Sequence, residues 1–251
     1  MQARIVNTLQ GARWLAEGWR LFRAAPLGWL ALVFAYWLIV TLVSIVPLVG
    51  VAAASIMVPA FSVGFMAAAR AVARRSPLEF TLLFDGFRHH LASQMILGAV
   101  YLACLGLVLA GSTLADDGAL ARWMLTGKRP ADEVLQSGDF LAALACGAAL
   151  YVPVLMMFWF APPLAAWHGT GPAKALFFSF VACVMNWRGF LAYGALTALV
   201  ALALPFAVLS ALMLASVRAP VMSLVFPILI VLLPTLFASF YVSYRDVFGV
   251  E

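Results

Sequence analysis

Three histidines and three cysteines are the side chains in this sequence best suited to binding a metal or moving a proton. His89 and His90 are adjacent, so on a helix they point about 100° apart and do not offer two ligands to one metal from a single face. His168 has no Asp, Glu or Cys at a metal-ligand spacing, and no HExxH motif is present. Cys104, Cys146 and Cys183 sit singly inside apolar stretches, where free Cys behaves as a small hydrophobe, and there is no CxxC. GxSxG, GxGD and Walker-type loops are also absent. His168 therefore reads as an interfacial histidine. No catalytic, cofactor-binding or metal site is expected, and no cofactor.

The elements that carry these residues belong in a bilayer. Of the 251 residues, 66% are apolar and 10% charged, with a mean hydropathy of +1.06. That leaves too little polar surface to cover a water-soluble globule. The net charge of +5 suits cytoplasmic loops against anionic headgroups. Nucleic acid is not an expected partner, because no fingerprint, basic stripe with stacking aromatics or zinc spacing supports one.

Charge-free apolar runs predict six spans, at 27–46, 48–69, 91–111, 140–167, 190–215 and 221–244. A hydrocarbon core about 30 Å thick needs roughly 20 residues of helix. The period-2 alternation of a barrel strand is missing, so the fold class is all-α integral membrane. Pro47 separates the first two spans so briefly that they should form a tight hairpin. Arginines precede the first run and VAAAS at 51–55 mimics a cleavage site, but the polar region and the apolar run both exceed signal-peptide dimensions, so the first span reads as retained.

Eleven of the 15 basic residues fall in one set of loops (Arg4, Arg13, Arg20, Arg23; Arg70, Arg74, Arg75, Arg88; Lys174, Arg188; Arg245). The other set holds Arg122, Lys128, Arg129 and Arg218, and its 112–139 loop carries half of the 10 acids. By the positive-inside rule the first set is cytoplasmic and both termini lie inside.

Each pair of spans is preceded by a segment that reads as a cytoplasmic amphipathic helix in the headgroups. In the first, at 13–25, Trp14, Leu15, Trp19, Leu21 and Phe22 share a face opposite Arg13, Glu17, Arg20 and Arg23. The second, at 77–90, opens with SPLE, a capping box with Pro77 at its first position. The third starts at Pro172, is apolar nearly all round and is expected to be more deeply buried. PAFSVGFMAAAR from Pro59 and PTLFASFYVSYR from Pro234 share Pro, Phe and Arg at the same spacing. The chain thus reads as one polytopic domain, 1–251, with candidate repeat units 1–70, 76–168 and 171–245; shared interfacial grammar is the other reading.

The unusual residues at 160–194 fit interfacial roles. Pro162 and Pro163 should kink or end the fourth span. Trp167 suits an aromatic belt, and Asn186, Trp187 and Arg188 mark the turn into the fifth span. Near the span middles there are no charges of the kind that mark ion pathways. The small-residue pairs Ala60/Gly64 and Ser239/Ser243 suit close helix approach.

The stretch FAPPLAAWHGTGPAKALFFSFVACVMNWRGFLAYG, residues 160–194, resembles the signature of uncharacterised six-span bacterial inner-membrane proteins. It is more distantly similar to the membrane domain fused to some glycerophosphodiester phosphodiesterases. In those chains a Pro-terminated span, a Pro-started amphipathic helix and an Asn-Trp entry to the next span recur, here Pro162, Pro172 and Asn186-Trp187. The soluble phosphodiesterase domain has no counterpart, so the resemblance implies a location, the bacterial cytoplasmic (inner) membrane, and a fold, but no reaction. The expected role is non-enzymatic: organising membrane lipids, a partner membrane protein or a second copy of the chain. The other reading is a transporter or exporter of a small amphipathic solute, working through proline-broken helices.

Overall fold

A computed structural model describes residues 3–47, 49–214 and 221–249, without the side chains of 209 and 211–229. Arg218 and the side chains of Ser223 and Pro227 lie outside the described residues. The described chain is helical, with no strand: α1 Thr8–Ala24, α2 Pro26–Ser44, α3 Gly50–Ala73, a 3-10 turn Phe80–Phe84, α4 Asp85–Arg88, α5 Leu91–Asp116, α6 Ala119–Thr126, α7 Asp132–Leu135, α8 Gly138–Phe158, α9 Ala161–His168, α10 Pro172–Met185, α11 Trp187–Leu214 and α12 Val221–Phe248. Helix starts follow local chemistry. Asn7 Oδ1 accepts the Leu9 N–H at 3.3 Å to open α1, and Ser137 Oγ accepts the Phe140 N–H at 3.2 Å to open α8. Pro26 and Pro172 sit in the first turns of α2 and α10, where a missing N–H costs nothing.

Among the described residues, five helices are long and apolar enough to cross a membrane: α2, α3, α5, α8 continued into α9, and α11 through Val208. Over half of the α3 span (56%) is covered by protein, against at most 17% in the other four. α3 is thus the central helix, while the rest turn apolar walls outward, as lipid permits and water does not. Around it pack α2, α5, α9 and α12. Phe65 stacks on Phe237 at 4.0 Å between ring centres, and Tyr36 meets both edge-on, which ties α2, α3 and α12 together. The segments beginning at Pro59 and Pro234 therefore lie side by side, inside α3 and α12 respectively.

All three expected amphipathic helices differ in part from their sequence reading. α1 begins earlier and does not turn its apolar face to headgroups: Trp14, Leu15 and Phe22 are buried against protein, and Trp19 alone of the tryptophan pair is exposed. An amphipathic stripe cannot say whether lipid or another helix covers it, and here α11 and α12 form the covering cleft. The segment 77–90 is not one helix. Pro77 lies in irregular chain, Glu79 is extended (φ −90°, ψ 143°), and helical structure starts only at Phe80, so the capping box does not form. The alternative is close docking on α3, where Gly64 lies under the Leu83 backbone and Gly86 under that of Ala60. This buries Leu83 and sets Phe87 4.9 Å from Phe61. The third helix starts at Pro172 as expected, but Phe177, Phe178, Val184 and Met185 are exposed on it.

Candidate functional site

The unusual side chains converge at the end of the bundle where α1, α9, α10, α11 and α12 meet. Asn186 follows the last residue of α10 and is buried. Its Nδ2 donates to the carbonyls of Ala182 at 2.9 Å and Arg4 at 3.0 Å, while Oδ1 accepts the Val6 N–H at 2.7 Å. Arg4 N–H in turn donates to the Val247 carbonyl at 2.7 Å. An amide is the side chain that can donate and accept here at once. It holds the N-terminal segment as a strap between the α10–α11 corner and the end of α12.

Beside the strap, α1 lies in the cleft of α11 and α12. Gly11 faces the Gly189 backbone and Gly18 faces Thr235 and Ser239, each at a separation that a Cβ would not fit. Close approach puts Trp14 Nε1 and Gln10 Nε2 on Asp246 Oδ2, at 3.1 and 2.9 Å. Arg245 covers the other oxygen through Nε at 3.0 Å and a terminal nitrogen at 2.8 Å, and that nitrogen also reaches Glu17 at 2.9 Å. Burial alone would lower the Arg245 pKa; its bonds to Asp246 and Glu17 outweigh that and hold it above its ordinary value. Trp14 also meets Phe190 edge-on, ring centres 5.2 Å apart.

The junction of α8 and α9 shows how a helix break is satisfied in an apolar setting. Pro162 and Pro163 lack the N–H groups that would continue the ladder, and α8 ends at Phe158. The Phe160 N–H donates to Ser179 Oγ at 2.9 Å, and that hydroxyl donates to the Met156 carbonyl at 2.7 Å. A buried hydroxyl from α10 thus bridges two backbone groups that an unbroken helix would join directly. Gln94 Nε2 donates to the Pro162 carbonyl at 2.9 Å. From α12, Ser243 accepts Trp159 Nε1 at 3.1 Å, and Ser239 lies 2.6 Å from Tyr193 Oη.

His168, at the end of α9, has its Nε2 2.6 Å from Tyr244 Oη. Next to it Trp167 donates to Asp85 at 3.2 Å and lies under the Arg70 guanidinium, 4.6 Å from the ring centre. His89 Nδ1 is paired with Asp85, 2.9 Å from its backbone carbonyl and 3.5 Å from its carboxylate. His168 also borders a cavity of about 590 Å³ between the strap and α10, whose other walls include Leu164, Phe178, Met185 and Phe248. Burial raises the pKa of the Cys183 thiol on α10.

The structure thus brings Trp14, Pro162, Pro163, His168, Pro172 and Asn186 to one end of the bundle. Trp19, Trp187 and Arg188 are exposed at its edge, with the Arg188 guanidinium 5.4 Å from the Trp187 ring centre. Phe22 is core, and Pro59 and Pro234 lie within helices. Sequence reasoning missed Ser179, Gln10, Glu17, Asp246 and Tyr244 as parts of the site. Ser179 had a signal, a small polar residue in a helix otherwise almost wholly apolar. Asp246 was hidden because its partners on α1, Gln10 and Trp14, are more than 200 positions away.

No family profile matches the chain, and no solved structure does. A curated relative, a probable inner membrane protein of Burkholderia thailandensis, is 39% identical over 257 aligned positions that cover the whole of this chain and 95% of the relative. Likeness at that level over the full length, together with several helices suited to crossing a bilayer, places the chain among multi-pass membrane proteins, in the family of that probable inner membrane protein.

Proposed function

We propose that this is a six-span protein of the bacterial inner membrane, with three hairpins and both termini cytoplasmic, that performs no chemistry and instead holds lipids or a partner membrane protein. The arginine distribution supports the orientation. The 28-residue α12 supplies the sixth span. The parallel placement of the Pro59 and Pro234 segments favours the repeat reading. The likeness to the phosphodiesterase membrane domain rests on the Pro162, Pro172 and Asn186-Trp187 pattern alone.

One observation carries the functional reading. The polar side chains that build the candidate site bond within the same chain, Gln94 through its Nε2 alone, while α10 beside them presents Phe177, Phe178, Val184 and Met185 outward. A 14-residue helix spans about 21 Å, too short to cross, so this face suits the edge of a bilayer or a neighbouring membrane protein. The test is replacement of Phe177, Phe178 and Val184 by Ser, followed by mass spectrometry of what copurifies in mild detergent. Loss of bound lipid or of a partner with helicity intact supports the reading; an unchanged complement of both refutes it.

A transporter of a small amphipathic solute is the second reading, favoured by the Ser179-bridged break and by Pro59, Pro153 and Pro205 inside α3, α8 and α11. Proteoliposomes without protein-dependent flux over a broad solute panel would remove it. His168→Ala separates both readings from an enzyme, since neither assigns the imidazole a proton-transfer role.

A further inference from the structure

The chain between α5 and α8 leaves the bundle in a fixed direction. Asp117 and Gly118 both take left-handed backbone angles (φ 50° and 82°). The Asp116 carboxylate accepts the N–H groups of Gly118 at 2.9 Å and Leu120 at 2.6 Å. This turn swings α6 over the start of α8, where Leu120 and Ala121 are buried and Leu120 packs with Phe140 and Ala143. Leu120 also lies against Gly147, further along the span. The face of α6 that carries Leu120 therefore looks along α8, toward the body of that span.

On that helix Leu120, Ala121, Met124 and Leu125 share one face, with Arg122 and Thr126 opposite. α8 covers only the first half of the face: Met124 is 68% exposed and Leu125 75%. Exposed apolar side chains run to the ends of the two spans that flank α6: Leu114 in the last turn of α5 and Leu141 in the first turn of α8 are 91% and 57% exposed. We infer that the overhanging half of α6 lies in the headgroup–acyl boundary of the leaflet at this end of the bundle. Met124 and Leu125 sit among acyl chains, and Arg122 and Thr126 face water. The occupant is lipid because the uncovered face adjoins the exposed apolar ends of α5 and α8, two helices long and apolar enough to cross a membrane.

The test places a nitroxide on Leu125→Cys in full-length protein, with Cys104, Cys146 and Cys183 replaced by Ala, in lipid nanodiscs. Arg122→Cys serves as the water reference and Leu114→Cys as the lipid reference. The expected ratio of collisions with oxygen to those with a water-soluble nickel chelate is several-fold higher at 125 than at 122, and close to that at 114. Equal ratios at 125 and 122 overturn the inference, as does spin–spin broadening at 125 that disappears on dilution with unlabelled protein. Benzoylphenylalanine at position 125 in the otherwise unaltered chain guards against a misfolded background. Photocrosslinks to phospholipid support the inference; crosslinks to a second copy or another protein overturn it.

Discussion

Ser179→Ala removes one oxygen and strips two backbone groups of their partner. The buried hydroxyl accepts from Phe160 N–H at 2.9 Å and donates to the Met156 carbonyl at 2.7 Å. Leaving a buried polar group unpaired costs roughly 1–3 kcal/mol in soluble proteins, but side-chain hydrogen bonds in membrane proteins average about 0.6 and reach about 1.7 kcal/mol. Two bonds on the membrane scale give a loss of about 1–3 kcal/mol. The assay is reversible unfolding in mixed micelles at increasing SDS fraction, with Ser55→Ala as reference, since the Ser55 hydroxyl bonds only its own helix at Val51. The prolines supply an internal control. With Pro162 and Pro163 replaced by Ala, the ladder can close directly, so Ser179→Ala should cost less there, with a coupling of about 1 kcal/mol in the double-mutant cycle. A Ser179→Ala variant as stable as Ser55→Ala, or one with no coupling to the prolines, would refute the bridging role.

Other outcomes follow from the same geometry. Asn186→Asp removes both Nδ2 donors and should cost about 1–3 kcal/mol, seen as faster hydrogen exchange at residues 4–6. Trp14→Phe keeps a ring but loses the bond to the Asp246 carboxylate, and should lower stability by about 1.5 kcal/mol in the same SDS titration; Trp14→Ser should lower it much further by opening a cavity. Cys183 should resist maleimide in the folded protein and react after unfolding. Its raised folded pKa means that its contribution to stability is fully present below its ordinary value of 9.0 and declines at higher pH, when only the unfolded chain ionises readily. Reporter fusions after residues 75, 128, 174 and 218 should read inside, outside, inside and outside; any reversal contradicts the proposed topology.

Much of the fold was legible because lipid imposes a one-dimensional code. Apolar runs between charges located the five long helices to within a few residues, and Pro172 marked a helix start through the absence of an N–H. The code is silent about what covers an apolar stripe. The Trp14 face of α1 has the pattern of a headgroup helix, yet Gly11 and Gly18 let it sink between α11 and α12. The spacing of Phe80, Leu83, Phe84 and Phe87 has the helical period too, yet tight docking on α3 favours a 3-10 turn after irregular chain at Pro77 and an extended Glu79. The candidate site was legible only in part for a related reason. Asn186, His168 and the proline pair stand out in an apolar background, but what each one touches comes from the opposite end of the chain or from a neighbouring helix, and spacing along the sequence carries no trace of that.

The strap that joins Arg4 to Val247, and the seating of α1 between α11 and α12, also bear on biogenesis. Within this sequence α1 is synthesised before α11 and α12, so it must wait until the helices that form its cleft have been made and inserted. Its two-sided character suits that interval, since the stripe that ends against protein can rest on the membrane surface until the cleft exists. Docking of α1 then has to follow the appearance of α12, and a chain truncated before α12 would lack one wall of the cleft.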